Sequence, residues 1–227
     1  MATLNPSRIS TTETTSRTAE TTNPFSTRFT RPDAVTYLFD STDADSSLVE
    51  PTTPKPCPLT EISNAFCQSG FIGQIVGPHG SGKTSLTHAI QRELRGTFEV
   101  VRRLTVRNQR GISSIQTAAE NTCCSGRMLL IIDGVERLAL LQRMMLVGYC
   151  KKSQSKPSQI GLLITTHRRL AGVPVLFKTV PSLALLKQIV QNLAPEFAPE
   201  PELLASVFEQ TNGNLREALM SLYDAWQ

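Results

Sequence analysis

Gly77-Pro-His-Gly-Ser-Gly-Lys-Thr84 is the stretch on which the reading of this chain turns. It fits G-x-x-x-x-G-K-[ST]. It lies between an apolar run, Phe71–Val76 (FIGQIV), and a segment, Gly82–Arg95, whose Leu86, Ala89, Ile90 and Leu94 fall on one helical face. A strand, a glycine turn and an amphipathic helix, in that order, are the setting such a loop needs. Glycines let the backbone wrap with its N–H groups pointing inward, and the helix adds the positive end of its dipole. Gly77, Pro78, His79, Gly80, Ser81, Gly82, Lys83, Thr84 and Ser85 are therefore the expected phosphate cradle. Lys83 would reach the β- and γ-phosphates of a bound nucleotide, and the Thr84 hydroxyl would hold Mg2+.

Further along, Met128–Ile132 (MLLII) is wholly apolar, as a central parallel strand buried on both faces should be. Asp133 follows it at the edge where ligands bind in open α/β sheets, and there it can hold Mg2+ beside Thr84. In Asp133-Gly-Val-Glu136 the second carboxylate has two readings. Glu136 can orient and deprotonate an attacking water, or it can be a helix-start residue favoured by the dipole. Thr165 and Thr166 close the strand ILLITT; a hydroxyl there can bond a γ-phosphate or the water, although threonine is also simply a good strand residue. Arg216 lies in the first turn of a helix, where a cation opposes the dipole unless an anion faces it. A bound triphosphate would be that anion; the other reading is an exposed surface cation.

The 227 residues are 40% hydrophobic and 19% charged, with a mean hydropathy of −0.12, which excludes collagenous and fully disordered chains. No apolar run approaches the roughly 20 residues of a membrane span, and MATLNPSRIS has no apolar core of the secretory kind. Five cysteines (57, 67, 123, 124 and 150) show no metal-ligand spacing, and their odd number argues against a disulfide framework. Reduced thiols in the cytoplasm are the expectation. The net charge of +4 is uneven: residues 1–60 carry five Lys or Arg against seven Asp or Glu, so the remainder is basic. Arg102, Arg103, Arg107 and Arg110 form a basic cluster that either meets nucleic-acid phosphates or charges a sheet edge against aggregation.

Four regions are expected. Residues 1–23, rich in Ser and Thr, should be disordered. Residues 24–58 combine a segment whose Phe25, Phe29, Val35, Tyr37, Leu38 and Phe39 should partly dock on the following domain with a proline-rich linker, 51–58. Residues 59–181 alternate strands and helices: a helix at 59–68, strands at 71–76, 97–106, 128–132, 160–165 and 173–178, and helices at 82–95, 113–121 and 137–152. That order predicts an α/β fold, a parallel sheet covered by helices. Residues 182–227 predict three helices: the first over 182–193, a second with Pro201 near its start and Gly213 at its end, and a third opened by Asn214 with Glu217 completing a capping box.

GPHGSGKT, MLLIID, ILLITT and Gly213-Asn-Leu-Arg216-Glu-Ala-Leu219 stand in the order of Walker A, Walker B, sensor 1 and sensor 2. From about residue 59 to 227 the chain resembles AAA+ P-loop ATPases, particularly the branches of replication initiators, clamp loaders and transposition ATPases. The resemblance implies a five-stranded 5-1-4-3-2 sheet with a C-terminal α-helical lid. It assigns Asp133 as the Walker B carboxylate, Thr165 or Thr166 as sensor 1 and Arg216 as sensor 2. It also implies ATP, Mg2+ and a module coupling nucleotide state to lid movement and to a partner, DNA or another protein. Two features depart from the family. Gly134 stands where a catalytic Glu usually follows the Asp, so hydrolysis either depends on Glu136 in its place or is slow. Arg168 and Arg169 are the nearby candidates for an arginine finger acting across an oligomer. Two other functions compete: a nucleotide-gated binding protein with little turnover, and a small-molecule P-loop kinase, against which the position of the helices after the last strand counts. No N/T-K-x-D motif speaks for GTP.

Overall fold

In the computed structural model, residues 23–39, 58–106, 126–153, 159–195 and 199–226 are described. The expected tail up to residue 22, the linker prolines before Pro58, the helix at 113–121, Arg107, Arg110, Cys57, Cys123 and Cys124 lie outside the described residues.

A single helical turn, α1 (Thr27–Thr30), precedes α2 (Pro58–Gln68), β1 (Ile72–Val76), α3 (Lys83–Glu93), β2 (Val100–Thr105) and β3 (Met128–Asp133). A 3-10 turn (Val135–Arg137), α4 (Leu140–Ser153), β4 (Ile160–Thr166) and β5 (Val175–Lys178) follow. Three helices close the chain: α5 (Leu183–Leu193), α6 (Pro201–Gln210) and α7 (Leu215–Trp226). All strands are parallel in the order β2-β3-β4-β1-β5, which is the expected 5-1-4-3-2 sheet. Register pairs Asp133 with Thr165 and Val76 with Thr166, so the C-terminal ends of β3, β4 and β1 meet at one edge.

The apolar alternation explains the layers. Leu130, Ile132, Leu162 and Ile164 face one side with Leu146 and Cys150 of α4. Leu129, Ile131, Leu163 and Ile75 face the other with Phe66 of α2 and Leu86 and Ile90 of α3. Each such side chain, fully buried, contributes about 1.5–3 kcal/mol. A third cluster joins α5, α6 and α7 through Leu186, Val190, Leu204, Ala218 and Leu222. Phe25 is buried in that third cluster, its ring edge-on to Trp226 at 6.0 Å, and Asn23 Nδ2 donates to the Tyr223 carbonyl at 2.9 Å. Leu38 packs on the same helices, whereas its neighbours Tyr37 and Phe39 pack on the α/β body, Phe39 edge-on to Phe177. Phe29, expected to dock, is instead exposed beside Arg28.

β2 begins at Val100 and β5 at Val175, later than expected, and other departures have clear local causes. Phe71 lies in a left-handed turn (φ 58°), so β1 begins one residue later. The helix expected from 137 starts at Leu140, because Gly134 is left-handed (φ 79°) and Leu138 is extended with its side chain buried. Glu136 thus sits in a 3-10 turn rather than at the start of α4. The capping box before α7 is half formed: Asn214 Oδ1 accepts from the Glu217 N–H, but Asn214's own N–H is used by the Thr211 carbonyl. Among the described residues no helix is long and apolar enough to cross a membrane.

Candidate functional site

The glycine loop runs from the end of β1 into α3. Gly80 (φ 66°) and Gly82 (φ 83°) take left-handed conformations that turn the loop back on itself at no steric cost. Both are also closely approached. A Cβ at Gly80 would fall 1.6 Å from Asn214 Oδ1, and one at Gly82 would fall 3.0 Å from the Tyr37 ring. The helical unit and the N-terminal segment therefore rest directly on the loop. Ser81 Oγ, buried, bonds the Pro78 carbonyl and shares a hydrogen bond with Thr179 Oγ1 at 2.6 Å, fastening the loop to the residue after β5.

Lys83 opens α3 and folds back, its Nζ donating to the carbonyls of Gly77 (2.9 Å) and Pro78 (2.6 Å). Burial holds its ammonium below the ordinary lysine range, and the charges of Asp133 and Glu136 pull it part of the way back. Those two carboxylates are thus within electrostatic reach of the loop lysine. Thr84 and Ser85 are half-buried in the first turn of α3.

The adjacent strand ends separate two residues that the sequence leaves equivalent. Thr165 Oγ1 donates to Asp133 Oδ1, its register partner on β3. Thr166 points to the opposite face, toward Gln74, as strand alternation requires. Gln74 itself is buried and satisfied, donating to the Leu170 and Val173 carbonyls and accepting from the Leu170 N–H. Thr165, not Thr166, joins Asp133.

Glu136 is drawn into the same corner. Its backbone carbonyl accepts from Arg143 of α4, which also donates to the Leu138 carbonyl at 2.7 Å and so ties down the 3-10 turn. Its Oε1 lies 3.3 Å from His167 Nε2, and its Oε2 is buried with no hydrogen-bond partner. His167 Nδ1 is 3.2 Å from the Gly77 carbonyl, and its ring lies against that of His79 with centroids 3.7 Å apart. Neither His167 nor Arg143 was singled out by the sequence. The available signal was positional: His167 directly follows a strand whose register ends against β1 and hence against the loop.

The remaining candidates are exposed or bonded to other elements. Arg216 is exposed at the start of α7, and Arg168 and Arg169 are exposed past β4. Arg103 is held to α3 by Gln91 and the Thr87 hydroxyl, while Arg102 on the same edge strand is exposed. Cys67 is exposed; Cys150 is buried, and burial pushes its thiol up to about 12.

Comparison with solved structures places this architecture. RuvB of Thermotoga maritima, a Holliday junction branch migration motor, is similar with a TM-score of 0.51 and 20% identity over 71% of this chain and 57% of RuvB. ORC1 of Aeropyrum pernix, solved in complex with DNA, is similar with a TM-score of 0.59 and 16% identity over 85% of this chain and 61% of ORC1. The chain has the AAA+ P-loop ATPase fold. No family model and no curated protein matches it. The chain spans less than two thirds of each AAA+ structure named, and at these identities the likeness is one of fold. Within the AAA+ sheet, Gly134 directly follows the β3 aspartate in a left-handed turn, and the next carboxylate is Glu136.

Proposed function

We propose that this chain binds ATP with Mg2+ in the Gly77–Thr84 loop and hydrolyses it. The observation that carries the reading is the corner just described: a buried lysine ammonium in a left-handed glycine cradle, two carboxylates in its field, one with a buried oxygen that has no partner. Such a polar pocket is costly unless a ligand or water completes it. The residues present fit the group.

The bound nucleotide with its Mg2+ supplies a phosphoanhydride that can lose its γ-phosphate to water. Loop N–H groups bind the phosphates, and Lys83 exchanges its two carbonyl contacts for phosphate oxygens. The Thr84 hydroxyl and Asp133 hold Mg2+, with Thr165 fixing the Asp133 carboxylate in orientation. Glu136 accepts the proton of the attacking water, and Arg216 is the cation that the helical unit offers to the γ-phosphate. A cleft of about 40 Å3, lined by Val35, Tyr37, Gly82, Ser85, Leu185 and Leu215, lies where loop, helices and N-terminal segment meet. In this reading residues 59–181 are the nucleotide-binding body and 182–227 a lid whose position reports nucleotide state to a DNA or protein partner. The similar ORC1 structure is a complex with DNA, which supports the DNA side of that choice.

The left-handed Gly134, in place of an adjacent carboxylate, favours one second reading: a nucleotide-gated binding protein with little turnover. Lys83→Ala tests binding. Calorimetry with ATP and Mg2+ should show affinity lowered about 10- to 100-fold, the worth of one charge-assisted hydrogen bond, with the fold intact. Unchanged affinity overturns the assignment. Steady-state phosphate release by the unaltered chain decides between the two readings.

A further inference from the structure

The His167 ring is held on both edges. Nδ1 lies 3.2 Å from the Gly77 carbonyl and Nε2 lies 3.3 Å from Glu136 Oε1. A carbonyl and a carboxylate both accept, so the ring satisfies the two at once only with a hydrogen on each nitrogen. His79 of the loop covers its face at 3.7 Å, with planes inclined by 40°. Glu136 needs such an anchor. It stands in a three-residue turn after a left-handed glycine rather than on the strand, and Arg143 fixes only its backbone.

We infer that His167 is the positioning residue for Glu136: it ties Oε1 to the backbone of the phosphate loop and leaves Oε2 as the free acceptor. This rests on the reading of Glu136 as the base in ATP hydrolysis. When Oε2 takes the proton, the water oxygen bonds the γ-phosphorus and the β–γ bridging oxygen departs with the electron pair on ADP. His167 stays bonded to Oε1 throughout and keeps the carboxyl group in place as it becomes neutral. The charged and titratable groups that face this pair among the described residues are His79 from the loop, Arg143 of α4 at the Glu136 carbonyl and, through Glu136, Lys83 of α3.

The chain contains three histidines, His79, His88 and His167, so histidine-selective NMR of the full chain is readily resolved. His88, on the part of α3 beside Arg103 and Asp33, is the internal reference. Removing the Glu136 acceptor with Glu136→Ala should move the His167 Nε2 resonance and leave that of His88 in place. An unmoved His167 resonance overturns the pairing. In kinetics, His167→Ala should reduce kcat about 10- to 100-fold, the scale of losing a supporting partner, with the calorimetric affinity for ATP unchanged. His167→Gln, which keeps an amide donor, should recover part of the loss. On a Glu136→Gln background His167→Ala should cost nothing more. A loss confined to KM, or one that multiplies in full with Glu136→Gln, overturns positioning. A chain that binds ATP without turnover defeats the hydrolysis reading, and the resonance comparison then still decides whether His167 holds Glu136.

Discussion

The body and the helical unit meet the glycine loop by different means. From the body the loop receives polar contacts of fixed geometry: Ser81 to Thr179, Lys83 to two carbonyls, His167 to Gly77. The helices touch it by shape, with Asn214 lying against the bare Cα of Gly80. Directional bonds pre-organise one half of a site, whereas a contact made by packing is lost in one step when the surfaces part. The helical unit is also the smaller half, and its core is completed from outside by Phe25.

The largest effect that would break this contrast is expected at Phe25. Phe25→Ala should destabilise the chain by about 3–5 kcal/mol, seen as a lower urea midpoint, and it should loosen α5–α7 before the sheet in hydrogen exchange. Uniform loss of protection across sheet and helices would erase the distinction between the halves. Next is Gly80→Ala. A side chain at this left-handed position costs about 1–2 kcal/mol and strikes Asn214 besides. Adding Asn214→Ala should recover the steric part and leave the backbone strain; no recovery in thermal melts would mean that the helices are not seated on the loop in solution.

The smallest effect sharpens the polar side. Burial lowers the folded-state pKa of Lys83 below 10.5, so the charged form is disfavoured in the free chain. That penalty is present at neutral pH and relieved as pH rises through the lowered value. In the proposed site ATP would need the ammonium, so its affinity runs the other way and should fall as pH rises through that value, before 10.5 is reached. Calorimetry in buffers of different ionisation heat should find proton uptake on binding in this window, absent in Lys83→Ala. Equal heats in both buffers would place Lys83 outside the phosphate site.

The strands and the loop were legible because each depends on a pattern several residues long, apolar runs for β3 and β4 and glycine spacing for the loop, whereas the strand order came only with the resemblance to AAA+ ATPases. Asp133 was legible as the residue ending a buried run. What escaped was set by single residues or by register. Gly134 and Leu138 displaced the start of α4, and a one-residue choice of backbone region leaves no periodicity. Thr165 and Thr166 differ only by which face of β4 they occupy, which pairing with β3 decides. The contact of His167 with Glu136 joins two turns more than 25 residues apart, and a lone histidine after a strand carries no pattern. Phe29 has the same apolar signature as Phe25, yet of the two Phe25 alone joins the core of α5, α6 and α7.

Tyr37 and Leu38 are neighbours in the chain but grip different halves of the molecule, Tyr37 over Gly82 and Leu38 on the helices. The segment therefore works as a strap buckled across the cleft. Any ligand that seats beside Gly82 and shifts Tyr37 must change the free energy of unbuckling, and peeling the strap must change that ligand's affinity by the same factor. Release of such a ligand and the freedom of residues 23–39 would then be tied by one coupling free energy.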